Sequence, residues 1–268
     1  LAAITSYSLS AGESVGLIVA ANVPSGATVS QNGSLTLTVN SLNSASGTKT
    51  NVDTATVTNQ SALVVRKKFS QTTVANGDVV TVRLDYQNLG SIATGSVTLT
   101  DVLDPSLVYQ LNSGENWNGT TVNPSTGSND PVGINYSVTS NTVTAVLSSI
   151  AANSVGYIEF KVGVNRTLAG KINNTVNFQY DHDNNTATAT IADVSNIAVL
   201  NLAPIYAVKI NGSVSDVNNS SNIIATPVLQ GGELVFNNYV WNTGNSTDLF
   251  NLTLTGSTFP AGSQIEFY

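Results

Sequence analysis

The chain has 268 residues, a formal net charge of −7 and only 9% charged side chains, against roughly 25% in ordinary globular proteins. Its nine Lys and Arg are scattered, which excludes the clustered basic surface that nucleic acid or an anionic membrane face requires. The absence of cysteine excludes a disulfide framework and thiolate metal sites, and 41% hydrophobic residues set at regular alternation exclude a disordered chain.

In chain order, residues 1–61 read as the C-terminal half of an Ig-like module. Ser8-Leu9-Ser10-Ala11-Gly12-Glu13-Ser14-Val15-Gly16-Leu17-Ile18 recurs, with one gap, as Ser149-Ile150-Ala151-Ala152-Asn153-Ser154-Val155-Gly156-Tyr157-Ile158. Thr54-Ala55-Thr56-Val57 likewise matches Thr186-Ala187-Thr188-Ala189. Residues 62–195 read as one complete module. Its first strand is expected from Ala62-Leu63-Val64-Val65. In Val79–Tyr86, the residues Val80, Val82, Leu84 and Tyr86 share one face while Arg83 and Asp85 share the other, the period of a half-buried strand. Ser96–Thr100 turns Val97 and Leu99 inward, and Gly156–Val162 turns Ile158, Phe160 and Val162 inward with Glu159 and Lys161 outward. Val143–Leu147 reads as a further strand. Val176–Tyr180 and Thr186–Ile191 are expected to close the module.

Asn, Gly, Pro and Ser clusters punctuate these strands at spacings typical of all-β sandwiches. The longest irregular stretch, Asn112–Gly133, reads as a surface excursion at one end of the sandwich. Residues 196–268 read as the N-terminal half of a further module. Gly77–Val80, Asn88-Leu89-Gly90 and Val97–Thr100 recur there as Gly232–Val235, Asn242-Thr243-Gly244 and Leu252–Thr255. No segment carries a helical period, no apolar run approaches the roughly 20 residues that span a bilayer, and any export signal or anchor is expected outside these residues. The fold expected is all-β: tandem Ig-like antiparallel β-sandwich modules, one complete and two partial, joined without spacers.

The Gly-acid turn at Gly77-Asp78, the strand ending in Asn88-Leu89-Gly90 and the strand ending in Asp101-Val102-Leu103 together form an opening pattern. Asn173-Asn174-Thr175-Val176 followed by Asp183-Asn184-Asn185-Thr186-Ala187-Thr188-Ala189 forms a closing one. With these, the chain resembles the "conserved repeat" domain of bacterial and archaeal surface proteins, a domain of unknown function. The resemblance implies secreted, tandemly repeated Ig-like sandwiches in stalks, adhesins and envelope layers, and it implies no chemistry. The last partial module departs from it, with Gly256 where the middle one has Asp101.

Candidate sites are few. Asp181, Asp183 and Asn185 place oxygen ligands at alternate positions and could hold Ca²⁺ if the loop curled round the ion. That stretch lacks the glycine and terminal acid of an EF-type loop, and a hairpin turn is the simpler reading. His182 is the only histidine, so zinc sites and Ser-His-acid triads have little to draw on. Glu115, Asp130, Glu159 and Glu233 fall at expected turns or outward positions, which leaves no opposed carboxylate pair for glycoside hydrolysis. Trp117, in the long loop, is a candidate for stacking on a sugar, set against folding back onto its own module. Trp241 is expected to pack at a strand end. Asn-x-Ser/Thr triplets, Asn118 and Asn251 among them, matter only if the source organism glycosylates its surface proteins. Lys67 or Lys68, in the module's first strand, could form an isopeptide crosslink with an Asn, and a solvated lysine blunting an edge strand is the simpler reading.

The function expected is therefore a non-enzymatic structural component of a prokaryotic cell-surface or extracellular repeat protein: a stalk, filament or envelope layer. Its expected contacts are other modules or copies of itself, with no cofactor, no nucleic acid and no membrane insertion of this segment. Two alternatives stand beside it. One is a self-assembling fibre subunit whose half-modules complete each other between chains. The other is a glycan- or protein-binding adhesin using the 112–133 loop.

Overall fold

The computed structural model describes residues 8–9, 15, 17, 19, 21–44, 47–125, 127–225 and 227–267. The repeat at Ser8–Ile18 lies mostly outside them. Strands form where β-branched and aromatic residues alternate with polar ones, and no helix occurs among the described residues. The chain divides into two compact units, Leu1–Ala203 and Pro204–Tyr268.

The first unit opens with an antiparallel hairpin, β1 (Asn32–Asn40) and β2 (Thr48–Thr56), in which Val39 and Val52 stay exposed. A sandwich follows. Its strands are β3 (Leu63–Phe69), β4 (Thr73–Val74), β5 (Val79–Asn88), β6 (Val97–Val102), β7 (Leu107–Tyr109), β8 (Asn116–Trp117) and β9 (Thr120–Thr121). They continue as β10 (Ile134–Thr139), β11 (Thr142–Leu147), β12 (Val155–Val164), β13 (Gly170–Asn174), β14 (Asn177–Tyr180), β15 (Ile191–Val194) and β16 (Ala198–Leu202). One sheet runs β3-β5-β12-β8-β9, with β7 also on β12, and the other runs β10-β11-β6-β14-β15. A short sheet, β13-β16-β4, prolongs the β14/β15 ladder. Asn177 faces Val194 and Asn174 faces Ala198, so two residues oppose three at the join. That bulge bends the ladder from one sheet toward the other.

The inward faces follow the alternation in the sequence. Val80, Val82, Leu84 and Tyr86 on β5, Val97 and Leu99 on β6, and Ile158, Phe160 and Val162 on β12 are all buried. Tyr136, Leu147, Ile172 and Phe178 complete a continuous core. Each such side chain contributes about 1.5–3 kcal/mol.

Two expected elements differ. Residues 186–190 are not a strand: Ala187 N–H donates to Asn185 Oδ1, and Thr188 N–H and Oγ1 both donate to Asn185 O. The turn takes up the groups a ladder would need, so β15 begins only at Ile191. The 112–133 stretch is not wholly irregular, because β8 pairs with β12 and β9 with β8.

The chain comes into the sandwich at Ser61, whose N–H and Oγ both donate to His182 O, beside the corner where Leu63 pairs with Asn88. It leaves through β16, which sequence patterning assigns to the next module. Here Ala198, Leu200 and Leu202 are buried, and Leu202 pairs with Gly170 and, in parallel, with Val74. The Val74–Gly77 and Val164–Gly170 turns gather at that end, as Gly77 N–H donates to Val164 O and Arg166 N–H to Asn76 Oδ1. Entrance and exit thus lie at opposite ends of the sandwich.

In the second unit, β17 (Val208–Asn211) and β18 (Tyr239–Asn242) form an antiparallel pair that rebuilds the β3/β5 corner. Gly90 N–H donates to Asn88 Oδ1 at 2.9 Å, and Gly244 N–H to Asn242 Oδ1 at 3.0 Å. Asn88 Nδ2 reaches Ile92 O, and Asn242 Nδ2 reaches Ser246 O. A Cβ on Gly90 would strike Gln60 O, and one on Gly244 would strike Ile205 O. The Asn-x-Gly repeat is therefore a structural corner, with glycine required by the close approach of the segment leading into β3 or β17. The unit's large apolar residues Ile210, Leu249, Leu252 and Leu254 are exposed.

Candidate functional site

Among the inward positions of the sandwich that carry polar side chains, three belong together. On β3 the inward series is Leu63, Val65, Lys67; on β6 it is Val97, Leu99, Asp101; through β13 and β14 it is Ile172, Asn174, Val176, Phe178. The sheets bring the three together. Lys67 Nζ donates to Asn174 Oδ1 at 2.5 Å and forms a tight ion pair with Asp101 Oδ2. The Lys67 and Asp101 side chains are fully buried, at 0% exposure. Asn174 is held on its other side, with Nδ2 donating to Val102 O at 2.9 Å and to Thr175 O at 3.3 Å.

The reading of Lys67 as a solvated edge lysine is corrected by its burial. The edge of β3 is instead covered by Asn196, whose Oδ1 accepts from Lys67 N–H and whose Nδ2 donates to Lys67 O. Lys68, one residue on, points the other way and pairs with Asp85 at 2.8 Å with its side chain 60% exposed.

The electrostatics are those of charges taken out of water. Burial pushes the Lys67 ammonium down to about 8, against the pull of the Asp101 charge and hydrogen bond. Burial also pushes the Asp101 carboxyl up, opposed by the Lys67 charge and hydrogen bond. Asp101 Oδ1 is buried with no hydrogen-bond partner. Such an atom is costly on a carboxylate, and it is relieved when the carboxyl carries a proton. An amine, a carboxyl and a carboxamide are thus held in contact in a dry core.

The sequence-predicted candidates lie elsewhere. Asp181 Oδ1 accepts the N–H of Asp183 and of Asn185, and Asp183 Oδ1 accepts Asn185 N–H and Thr188 Oγ1. Asp181, Asp183 and Asn185 therefore share one turn, with these oxygens directed at the chain itself. The His182 carbonyl anchors Ser61. Trp117 folds back and stacks on Tyr86, ring centroids 5.1 Å apart. Asn118 brackets the same spot, with Nδ2 donating to Tyr86 Oη and Oδ1 accepting Tyr157 N–H. Trp241 Nε1 donates to Asn211 Oδ1.

Glu115, read from the sequence as a turn or outward position, is buried at 2% exposure just before β8, accepting from Tyr109 Oη, which also bonds Tyr136 Oη. Asp130 ties the long loop down by accepting from Asn123 and Tyr136 N–H. Glu159 faces out and pairs with Arg83 at 2.8 Å, and Arg83 lies 3.6 Å over the Tyr157 ring. Among the described residues no group of three or more His, Cys, Asp or Glu is placed to hold a metal ion.

No protein-family model matches the chain, and no curated protein is significantly similar to it. Solved structures similar to it include the full-length major pilin SpaD of Corynebacterium diphtheriae, at 14% identity and TM-score 0.42 over 60% of this chain and 40% of that one. A C-terminal fragment of the major pilin GBS80 of Streptococcus agalactiae gives 15% identity and TM-score 0.39 over 56% and 57%. The collagen-binding domain of a Staphylococcus aureus adhesin gives 14% identity and TM-score 0.36 over 51% and 95%. The chain thus spans less than two thirds of the length of either pilin structure.

Proposed function

We propose that this chain is part of a non-enzymatic, tandem-module protein of the prokaryotic cell surface, related to the "conserved repeat" domains it resembles, and that it serves as a stalk, filament or envelope-layer segment. The observation that carries the reading is the through-going path of the sandwich. The chain comes in beside the Asn88 corner and leaves beside Gly170 at the other end, and the same corner is rebuilt at Asn242. A module with that path carries tension from one end to the other along its strands. The test is surface accessibility in the organism that makes the protein. Antibodies raised against the chain are expected to label intact cells, and brief protease treatment of those cells is expected to remove the label. Labelling only after permeabilisation overturns the reading.

A second structural reading rests on the exposed Ile210, Leu249, Leu252 and Leu254. Strands from residues 1–61 of another copy would cover these faces by edge pairing, building a fibre. Concentration-dependent filaments in electron micrographs of the purified chain support this reading, and a monomer at all concentrations in sedimentation overturns it.

A further inference from the structure

We infer that Lys67 and Asn174 join in an intramolecular isopeptide bond, formed by the folded module itself with Asp101 as the proton carrier. The geometry supplies each part. The Lys67 amine lies against the Asn174 carboxamide, 2.5 Å from its oxygen. Asp101 touches the amine and keeps a second, unpartnered oxygen. All three are fixed by strands on both sheets, so the reactants are prepaid in position and orientation.

The step balances without an oxidant or co-reactant. Within the buried pair, a proton passes from the Lys67 ammonium to the Asp101 carboxylate, leaving a neutral amine and a carboxylic acid. The depressed proton affinity of Lys67 and the raised one of Asp101 lower the cost of that transfer. The Nζ lone pair attacks Asn174 Cγ, and Asp101 stabilises the developing oxyanion by hydrogen bonding. The Cγ–Nδ2 bond then breaks. Asp101 relays the proton lost by Nζ to Nδ2, which departs as ammonia. Lys67 and Asn174 end as a neutral amide, so no charged lysine remains in the core.

The consequence is mechanical. Lys67 lies on the first strand of the sandwich and Asn174 on the strand paired with the last, 107 positions apart in the chain. Tension applied across the module would pass through the new bond and leave the intervening chain folded. At roughly 3.5 Å per extended residue, about 370 Å of contour length is withheld.

The experiment is intact-mass measurement and peptide mapping of the full 268-residue chain, folded as judged by circular dichroism. The expected mass is that of the sequence less one ammonia, and the expected digest contains a branched peptide joining the segments around Lys67 and Asn174. Lys67→Met restores the sequence mass. Asp101→Asn is expected to slow ammonia loss by at least about a hundredfold. A folded chain at full sequence mass overturns the proposal. So does a mass deficit without the branched peptide, the signature of a succinimide at some Asn. Because Lys67→Met leaves Asp101 unpaired and can fail to fold, Lys67→Met/Asp101→Leu serves as the second variant. In optical tweezers the wild-type chain is expected to lack about 370 Å of extension that the variants show, and equal extension overturns the bond. Surface labelling plays no part in these readouts, so the crosslink and the cellular role fail or stand separately.

Discussion

Replacing Asn88 with alanine should unpick the corner at which the chain comes into the sandwich. Asn88 is 0% exposed. Its Oδ1 accepts the N–H of Ala62 and Gly90, and its Nδ2 donates to the carbonyls of Ile92, Ile150 and Ala151. Alanine removes all five bonds and fills none of them. Gly90 N–H is left buried without an acceptor, at a cost of about 2 kcal/mol. Ile150 O keeps its bond from Thr94 N–H, and the part-buried partners can recruit water, so each of those four losses is worth roughly half a kcal/mol. The sum is about 4 kcal/mol, or a fall of about 10 °C in the Tm of the first unit at roughly 2–4 °C per kcal/mol. Calorimetry of the full chain gives the shift, and hydrogen exchange of peptides covering residues 79–101 assigns it to the right unit. Asn242→Ala is the internal comparison. It breaks equivalent bonds to Gly244 and Ser246 in an exposed setting, so it should cost under about 1 kcal/mol. If Asn88→Ala costs no more than Asn242→Ala, burial is not what gives the corner its value and the reasoning fails.

Trp117→Ala removes the stack on Tyr86 and should cost about 2 kcal/mol by urea unfolding, less than for a fully buried indole. Binding to a glycan array should be indifferent to the change, and binding lost with stability intact would return Trp117 to the role of a ligand platform. Millimolar Ca²⁺ should leave the Tm where a chelator leaves it, because the Asp181 and Asp183 Oδ1 atoms already accept backbone N–H groups; a rise of several degrees would show the turn re-forming round the ion. On the outer face, burial is the largest single influence on the Asp85 and Glu159 carboxyls and pushes both up. Hydrogen bonds from Lys68 and Arg83 to Asp85, and from Asn116 and Arg83 to Glu159, together with the charges of Arg83 and Lys68, outweigh it, so both sit below the usual range. Their stabilisation is present above their unfolded values and is lost as pH falls through the folded ones. Arg83→Met should therefore flatten the acid limb of the stability curve below about pH 4. The effect should stay under about 1 kcal/mol because the groups are part-exposed, and an unchanged acid limb would show the network contributes nothing.

How much of this was legible depends on what kind of information each feature needs. The inward faces of β5, β6 and β12 are written in local alternation: Val80, Val82, Leu84 and Tyr86 can be read without knowing what they pack on. The Thr186–Thr190 segment has the right alternation too, but its Ala187 and Thr188 N–H groups are claimed by Asn185 and its Thr188 hydroxyl by Asp183 and Asn185, a competition that propensity does not register. The Lys67 cluster needed one step more. Extending the buried alternation gives Leu63-Val65-Lys67, Val97-Leu99-Asp101 and Ile172-Asn174-Val176, so position alone puts each polar residue on the inward face. Residue type argued the other way, since lysine and aspartate are almost never fully buried unless paired. Read singly, Lys67 is a surface lysine and Asp101 a turn residue. Only the packing together of strands from different sheets, which no local pattern encodes, shows that the three exceptions meet.

The second unit tests that logic by subtraction. The register that sets Val208 against Asn242, as Leu63 is set against Asn88, puts Gly212 in the place of Lys67. The repeat that aligns Leu252–Thr255 with Val97–Thr100 puts Gly256 in the place of Asp101. The amine and the carboxyl are missing together, while the Asn-x-Gly corner is retained. A lone lysine or a lone aspartate at such a position would be an uncompensated charge in a core, costing several kcal/mol. Either both stay or both go, and glycine at both sites removes the charges altogether. The corner and the cluster are thus separable devices: the corner is built in both units, while the buried amine–carboxyl pair belongs to the first.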